Sequence, residues 1–123
     1  FHSFEDFSNI ILGFGKDRVA VISSNWITPK KVRNFSAVCT DAIINGDFIK
    51  QEITIEDSLC TTTPRRQNLV EPLSLELRNF IEVIEGKRDH PEVSPEEATN
   101  VTKIAEAALL SSNTGAPIYL NLG

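Results

Sequence analysis

Methionine is absent from the 123 residues, and cysteine and histidine occur twice each. Cys39 and Cys60 are too few and too far apart in sequence for a metal-ligand or redox pattern such as C-x-x-C, and the expectation is a pair of buried free thiols in a cytosolic protein. A nucleophile-base-acid constellation needs a base. His2 lies near the start of the chain and His90 in the polar turn Lys87-Arg88-Asp89-His90-Pro91, and both are expected to be solvated. No apolar run approaches the roughly 18 residues of a membrane span, and the first residues are neither basic nor followed by a signal-like core, which argues against a membrane protein. Positive charge is also short. Twelve Lys and Arg against seventeen Asp and Glu leave a net charge of −5, with no field to hold a nucleic acid or an anionic membrane. Phe1 is too bulky to follow removal of an initiator Met, so the sequence reads as a piece of something longer, soluble and cytoplasmic.

What is present is ordinary globular material. Hydrophobic residues make up 41% and charged residues 24%, and the length suits a single domain over 1–123. Up to about residue 70 the pattern is that of strands. Ile10, Leu12 and Phe14 share one side at period two, and Gly15-Lys16-Asp17 makes a turn. Residues 18–26 form the next strand; Val19, Ala20, Val21 and Ile22 are apolar on both sides, which predicts a central strand covered on two faces. Thr28-Pro29 interrupts the ladder and residues 32–40 resume it. Ile44-Asn45-Gly46-Asp47 carries the strongest short hairpin signal in the chain. In the strand after it, Ile49, Gln51, Ile53 and Ile55 point one way and Lys50, Glu52, Thr54 and Glu56 the other. A last extended piece is expected within residues 58–70.

From Glu71 the period becomes helical. Pro72 suits a first turn, Leu73, Leu77, Phe80, Ile81 and Ile84 form one stripe, and Gly86 ends it. Ser94-Pro95-Glu96-Glu97 opens a second helix with a capping box, Ala98, Val101, Ile104, Ala105, Ala108 and Leu109 line its buried face, and Gly115 and Pro117 terminate it. Residues 118–122 read as a final strand. Strands first and helices afterwards predict an α+β fold: a mainly antiparallel open sheet with two C-terminal helices packed on one face.

The residues show little chemistry. Gly13-Phe14-Gly15 has a G-x-G opening, but it links two strands with no helix N-terminus behind it, and it reads as a turn. Lys30, Lys31 and Arg33, Arg65 and Arg66, then Lys87 and Arg88 are either scattered loop charge or, at Arg33 or the Arg65-Arg66 pair, guanidinium forks for a phosphate or carboxylate. Trp26 ends a strand where the chain leaves the sheet. It either closes the core or stacks on a sugar or base, with Asn25, Ser24 and Ser23 beside it to form hydrogen bonds.

Several strings, in order, resemble the C-terminal domain of the Gfo/Idh/MocA oxidoreductases, the glucose-fructose oxidoreductase and inositol dehydrogenase family. Glu71-Pro72-Leu73-Ser74-Leu75-Glu76-Leu77-Arg78-Asn79-Phe80-Ile81 is similar to the family's E-P-L-x-x-E-L-x-x-F-(I/L) helix. Val93-Ser94-Pro95-Glu96-Glu97-Ala98, the stretch from Ile104 to Ser112, and Thr114-Gly115-Ala116-Pro117-Ile118-Tyr119-Leu120 are similar to its ending. Phe14-Gly15, Ser24-Asn25-Trp26 and Lys31-Val32-Arg33 are similar to an upstream passage. The pattern looks closest to members acting on free or nucleotide-linked sugars, such as UDP-N-acetylglucosamine 3-dehydrogenase-like proteins.

The resemblance implies a parent enzyme that binds NAD or NADP on a Rossmann domain and oxidises a sugar or nucleotide sugar, with a Lys of an E-K-P motif and a His of a D-x-x-x-H segment handling the hydroxyl proton. Neither motif occurs in this chain, nor does G-x-G-x-x-G. The expectation is therefore a substrate-binding and oligomerisation domain, inactive alone, with no catalytic or cofactor-binding residue of its own. Trp26, Asn25 and Arg33 are its candidate sugar contacts, and the open sheet face is its candidate homo-oligomer interface. The alternative is a free-standing, non-catalytic α+β binding or dimerisation module.

Overall fold

The computed structural model describes residues 4–63 and 70–122. The fold class is α+β, with antiparallel sheets of two and four strands followed by two helices. The chain divides into two compact units, Phe1–Leu69 with the strands and Val70–Gly123 with the helices.

In the first unit, β1 (Phe7–Phe14) pairs antiparallel with β2 (Arg18–Asn25), in a register running from Phe7 opposite Asn25 to Phe14 opposite Arg18. Gly15 takes φ 69° in the turn between them, a conformation that costs glycine no Cβ clash. Beyond the open end, the Trp26 N–H donates to the Asp6 carbonyl at 2.9 Å and adds one more rung. Alternation puts Ile10, Leu12, Ala20 and Ile22 on one face and Phe7, Ile11, Val19 and Val21 on the other.

The expected central strand is corrected here. Among the described residues β2 pairs only with β1, in a two-stranded sheet, and Val19 and Val21 are 68% and 69% exposed. A two-sided apolar pattern records which faces suit cover; it does not count the strands alongside.

The second sheet is a meander of β3 (Asn34–Val38), β4 (Ala42–Asp47), β5 (Glu52–Asp57) and β6 (Thr61–Thr62), in that spatial order. It contradicts the hairpin expected at Asn45-Gly46, since both residues lie inside β4, a strand not foreseen. The reason is steric. Gly46 is buried opposite Phe35, and a Cβ placed on it would lie 2.7 Å from the Phe35 Cδ1 and Cζ and nearer still to Cε1. The glycine thus makes room for a ring across the ladder, and the Phe48 ring stands 5.5 Å from that ring at 47°. The turn falls at residues 48–51 instead. Asp47 Oδ1 accepts from the Ile49 and Lys50 N–H groups at 2.9 and 3.0 Å, and Gln51 takes the left-handed conformation at φ 56°. Ile49 and Gln51 therefore belong to the turn, while Ile53 and Ile55 share the face of Phe35, Ala37 and Ile44 as alternation requires.

Both thiols are free and exposed, which corrects the expected burial. Each sits in a connection at the same end of the meander. The Cys39 N–H donates to Ala42 O, Ala42 faces Asp57, and the Asp57 N–H donates to Cys60 O, so one cross-strand row runs from Cys39 to Cys60.

In the second unit, α1 (Pro72–Ile84) is capped by the Glu71 carboxylate, which accepts from the Ser74 N–H at 2.7 Å. The first residue of α2 (Pro95–Thr114) follows Ser94, whose Oγ accepts from the Glu97 N–H while Glu97 accepts from the Ser94 N–H. This is the anticipated capping box, and Gly115 closes the helix in the left-handed conformation at φ 67°. Between the helices, Asn79 Oδ1 accepts from the Glu92 N–H at 3.1 Å, and the Arg88 guanidinium bridges Glu82 and Glu92 at 2.9 and 3.5 Å.

Two further expectations fail in this unit. The stripes Leu73-Leu77-Phe80-Ile81-Ile84 and Ala98-Val101-Ile104-Ala105-Ala108-Leu109 are not buried; Ile84 is 70% exposed, Ile104 and Ala108 are half-buried, and neither helix has a buried residue among those described. Residues 118–122 join no ladder among the described strands, because a strand requires a hydrogen-bonded neighbour as well as alternating Ile118, Leu120 and Leu122.

Two measurements check this geometry. Gly46→Ala is expected to lower stability by about 1–3 kcal/mol, as overpacking against a fixed ring does, and Phe35→Ala combined with it is expected to cost less than the sum of the two single changes in a denaturation series. Three strand spacings separate Cys39 from Cys60, about 14 Å against the 4.4–6.8 Å a disulfide spans. Titration of the native protein with a thiol reagent is expected to find both cysteines reactive, with no internal disulfide after mild oxidation.

Candidate functional site

The polar side of the four-stranded sheet gathers the largest set of hydrogen-bonding side chains on any one strand face. Alternation puts Asn34 and Ser36 of β3, Asn45 and Asp47 of β4, and Glu52, Thr54 and Glu56 of β5 on this side, away from Phe35, Ile44, Ile53 and Ile55, with the apolar Val38 and Ile43 sharing its far end. A shallow depression of about 420 Å³ runs over Asn34, Ser36, Asn45, Asp47, Glu52 and Thr54, with Lys50 at its turn end. Amides, hydroxyls, carboxylates and an ammonium together can donate to and accept from a polyhydroxylated ligand. The face is partly ordered by its own contacts, since Asn45 Nδ2 donates to Glu56 Oε1 at 3.2 Å and Lys50 Nζ lies 3.7 Å from Asp47 Oδ2.

Electrostatics favour ionised carboxylates at both ends of β4–β5. The Lys50 backbone N–H, then the Ile49 N–H and the Lys50 charge, hold Asp47 below the usual aspartate range. At the opposite end, Asp57 is lowered by the Leu59 backbone N–H, at 2.7 Å, and then by that of Cys60, at 2.8 Å.

Of the residues singled out from the sequence, Trp26 is 86% exposed and closes no core among the described residues. Asn25 beside it is engaged locally: its Oδ1 accepts from the Ile27 N–H, the Thr28 N–H and the Thr28 hydroxyl at 3.1, 2.9 and 3.0 Å. Those bonds turn the chain out of β2 directly after Trp26, leaving the Asn25 amide NH2 as the group able to meet a ligand. Arg33 belongs to the other sheet. It precedes β3, and its carbonyl accepts from the Phe48 N–H at 2.9 Å, which adds a rung at the end where Lys50 stands. The structure thus joins Asn25 to Trp26 and sets Arg33 directly before β3, outside the residues that line the polar depression. His90 is exposed in the interhelical loop, with Nδ1 3.1 Å from Pro91 O. His2, Arg65 and Arg66 lie outside the described residues. Sequence reasoning had singled out neither Asn34 and Ser36 nor Asn45 and Asp47. The alternation Asn34-Phe35-Ser36-Ala37 was the available signal for the first pair, and reading Asn45-Gly46 as a turn removed the second.

Among the described residues, neither the glycine turn nor a helix start offers a free site for a pyrophosphate. Gly13-Phe14-Gly15 leads from β1 through a turn into β2, so no helix N-terminus receives a pyrophosphate there. The N-termini of α1 and α2 are already taken by carboxylates, from Glu71 in one and Glu97 in the other, and Glu96 adds a second acid to α2. Among the described residues no group of three or more His, Cys, Asp or Glu could hold a metal ion, and no helix is long and apolar enough to cross a membrane. No family model matches the chain, and no curated protein or solved structure matches it.

The pKa directions set a pH dependence. Carboxyls held low in the fold stabilise it while ionised, so their contribution is intact above the ordinary carboxylate range and is lost as pH falls through the depressed values, below about pH 4. Asp47→Asn and Asp57→Asn are each expected to flatten the acid side of the stability profile, read as thermal midpoint against pH between neutrality and strongly acidic buffer.

Proposed function

We propose that this chain is the substrate-binding and oligomerisation part of an NAD(P)-dependent oxidoreductase acting on a sugar or nucleotide sugar, of the Gfo/Idh/MocA type. The observation that carries the reading is the division of the four-stranded sheet into two unlike faces. One presents Asn34, Ser36, Asn45, Asp47 and Glu52, with Val38 and Ile43 towards its far end; the other presents Phe35, Ala37, Ile44, Ile53 and Ile55, with Asp57 at its end. A domain that meets a polyhydroxylated substrate on one side and protein on the other needs that asymmetry. The order of the strings around Trp26, Glu71-Pro72-Leu73 and Ser94-Pro95-Glu96-Glu97 supports the same reading.

In this reading the nicotinamide chemistry belongs to a Rossmann domain elsewhere in the enzyme, which works in the cytoplasm. The residues of this chain bind and orient the sugar. Trp26 offers an indole face for stacking, the Asn25 amide donates to a hydroxyl, and Arg33 meets a carboxylate or, in a nucleotide sugar, a phosphate. The apolar sheet face and the β1–β2 hairpin supply the homo-oligomer interface. A non-catalytic dimerisation module would use the same apolar faces, and it is distinguished by lacking any effect of Trp26 on a substrate.

Reading the gene upstream of the codon for Phe1 is expected to reveal G-x-G-x-x-G, E-K-P and D-x-x-x-H segments in that order; their absence would overturn the assignment. In the whole enzyme, Trp26→Ala is expected to raise KM for the sugar several-fold with little change in thermal midpoint. A fallen midpoint with KM unchanged would make the indole a packing group instead. The 123-residue chain alone is expected to leave NADPH fluorescence unchanged at micromolar concentrations, and saturable binding there would count against the proposal.

A further inference from the structure

We draw no further inference here: the strongest candidate, the uncharged strand β1 with the two apolar faces of the β1–β2 hairpin, is an unpartnered surface, and nothing in the structure shows what covers it.

Discussion

Ladder hydrogen bonds between strands adjacent in sequence carry the order of residues 7–62, and the rest of the first unit follows from where those ladders run. β1 meets β2, and β3 to β6 follow one another across the second sheet. Three of the four connections are secured by a local device: Gly15 in one turn, the Asp47 carboxylate under Ile49 and Lys50 in another, and the Asp57 carboxylate under Leu59 and Cys60 in a third. Burial plays little part, since no hydrophobic side chain among the described residues is buried. Backbone pairing satisfies the peptide groups, but the larger driving force for folding is removal of apolar surface from water. The exposed Val19, Val21, Phe35 and Ile53 therefore mark where that force has yet to act.

The helical unit follows the same economy. Glu71 and the Ser94–Glu97 pair close the helix starts, and Gly115 closes the second helix at its end. Asn79 and Arg88 tie the intervening loop to α1. These contacts fix helix boundaries and leave the stripes through Leu77, Phe80 and Ile84 open. Local chemistry defines the elements, and long-range packing is what the apolar surfaces are suited to supply.

This division explains what was legible in the sequence. Signals that act within a few residues were read correctly: the Gly15 turn, Pro72 in a first turn, the capping box at Ser94, and the stop at Gly115. Signals whose meaning depends on a distant partner were not. Asn45-Gly46 resembles a hairpin turn by itself, and only Phe35 across the ladder explains why the glycine belongs in a strand. Gln51, with no glycine to announce it, holds the left-handed turn position instead. Residues 118–122 alternate as a strand should, but alternation cannot supply the neighbour they would pair with. The candidate site divides in the same way. Trp26 and Asn25 are candidates because they are adjacent in sequence, whereas Asn34, Asn45 and Asp47 come together only once the register of β3 with β4 is known.

The sequential order of β3, β4, β5 and β6 also bears on how the chain acquires its shape. No strand in the meander waits for a distant segment, and each hairpin closes over only a few residues, so little loop entropy is spent before pairing begins. The polar and apolar sides of the sheet are thereby sorted through pairing between neighbouring strands, as where Ile53 lies opposite Gly46, so its sidedness needs no distant segment to define it.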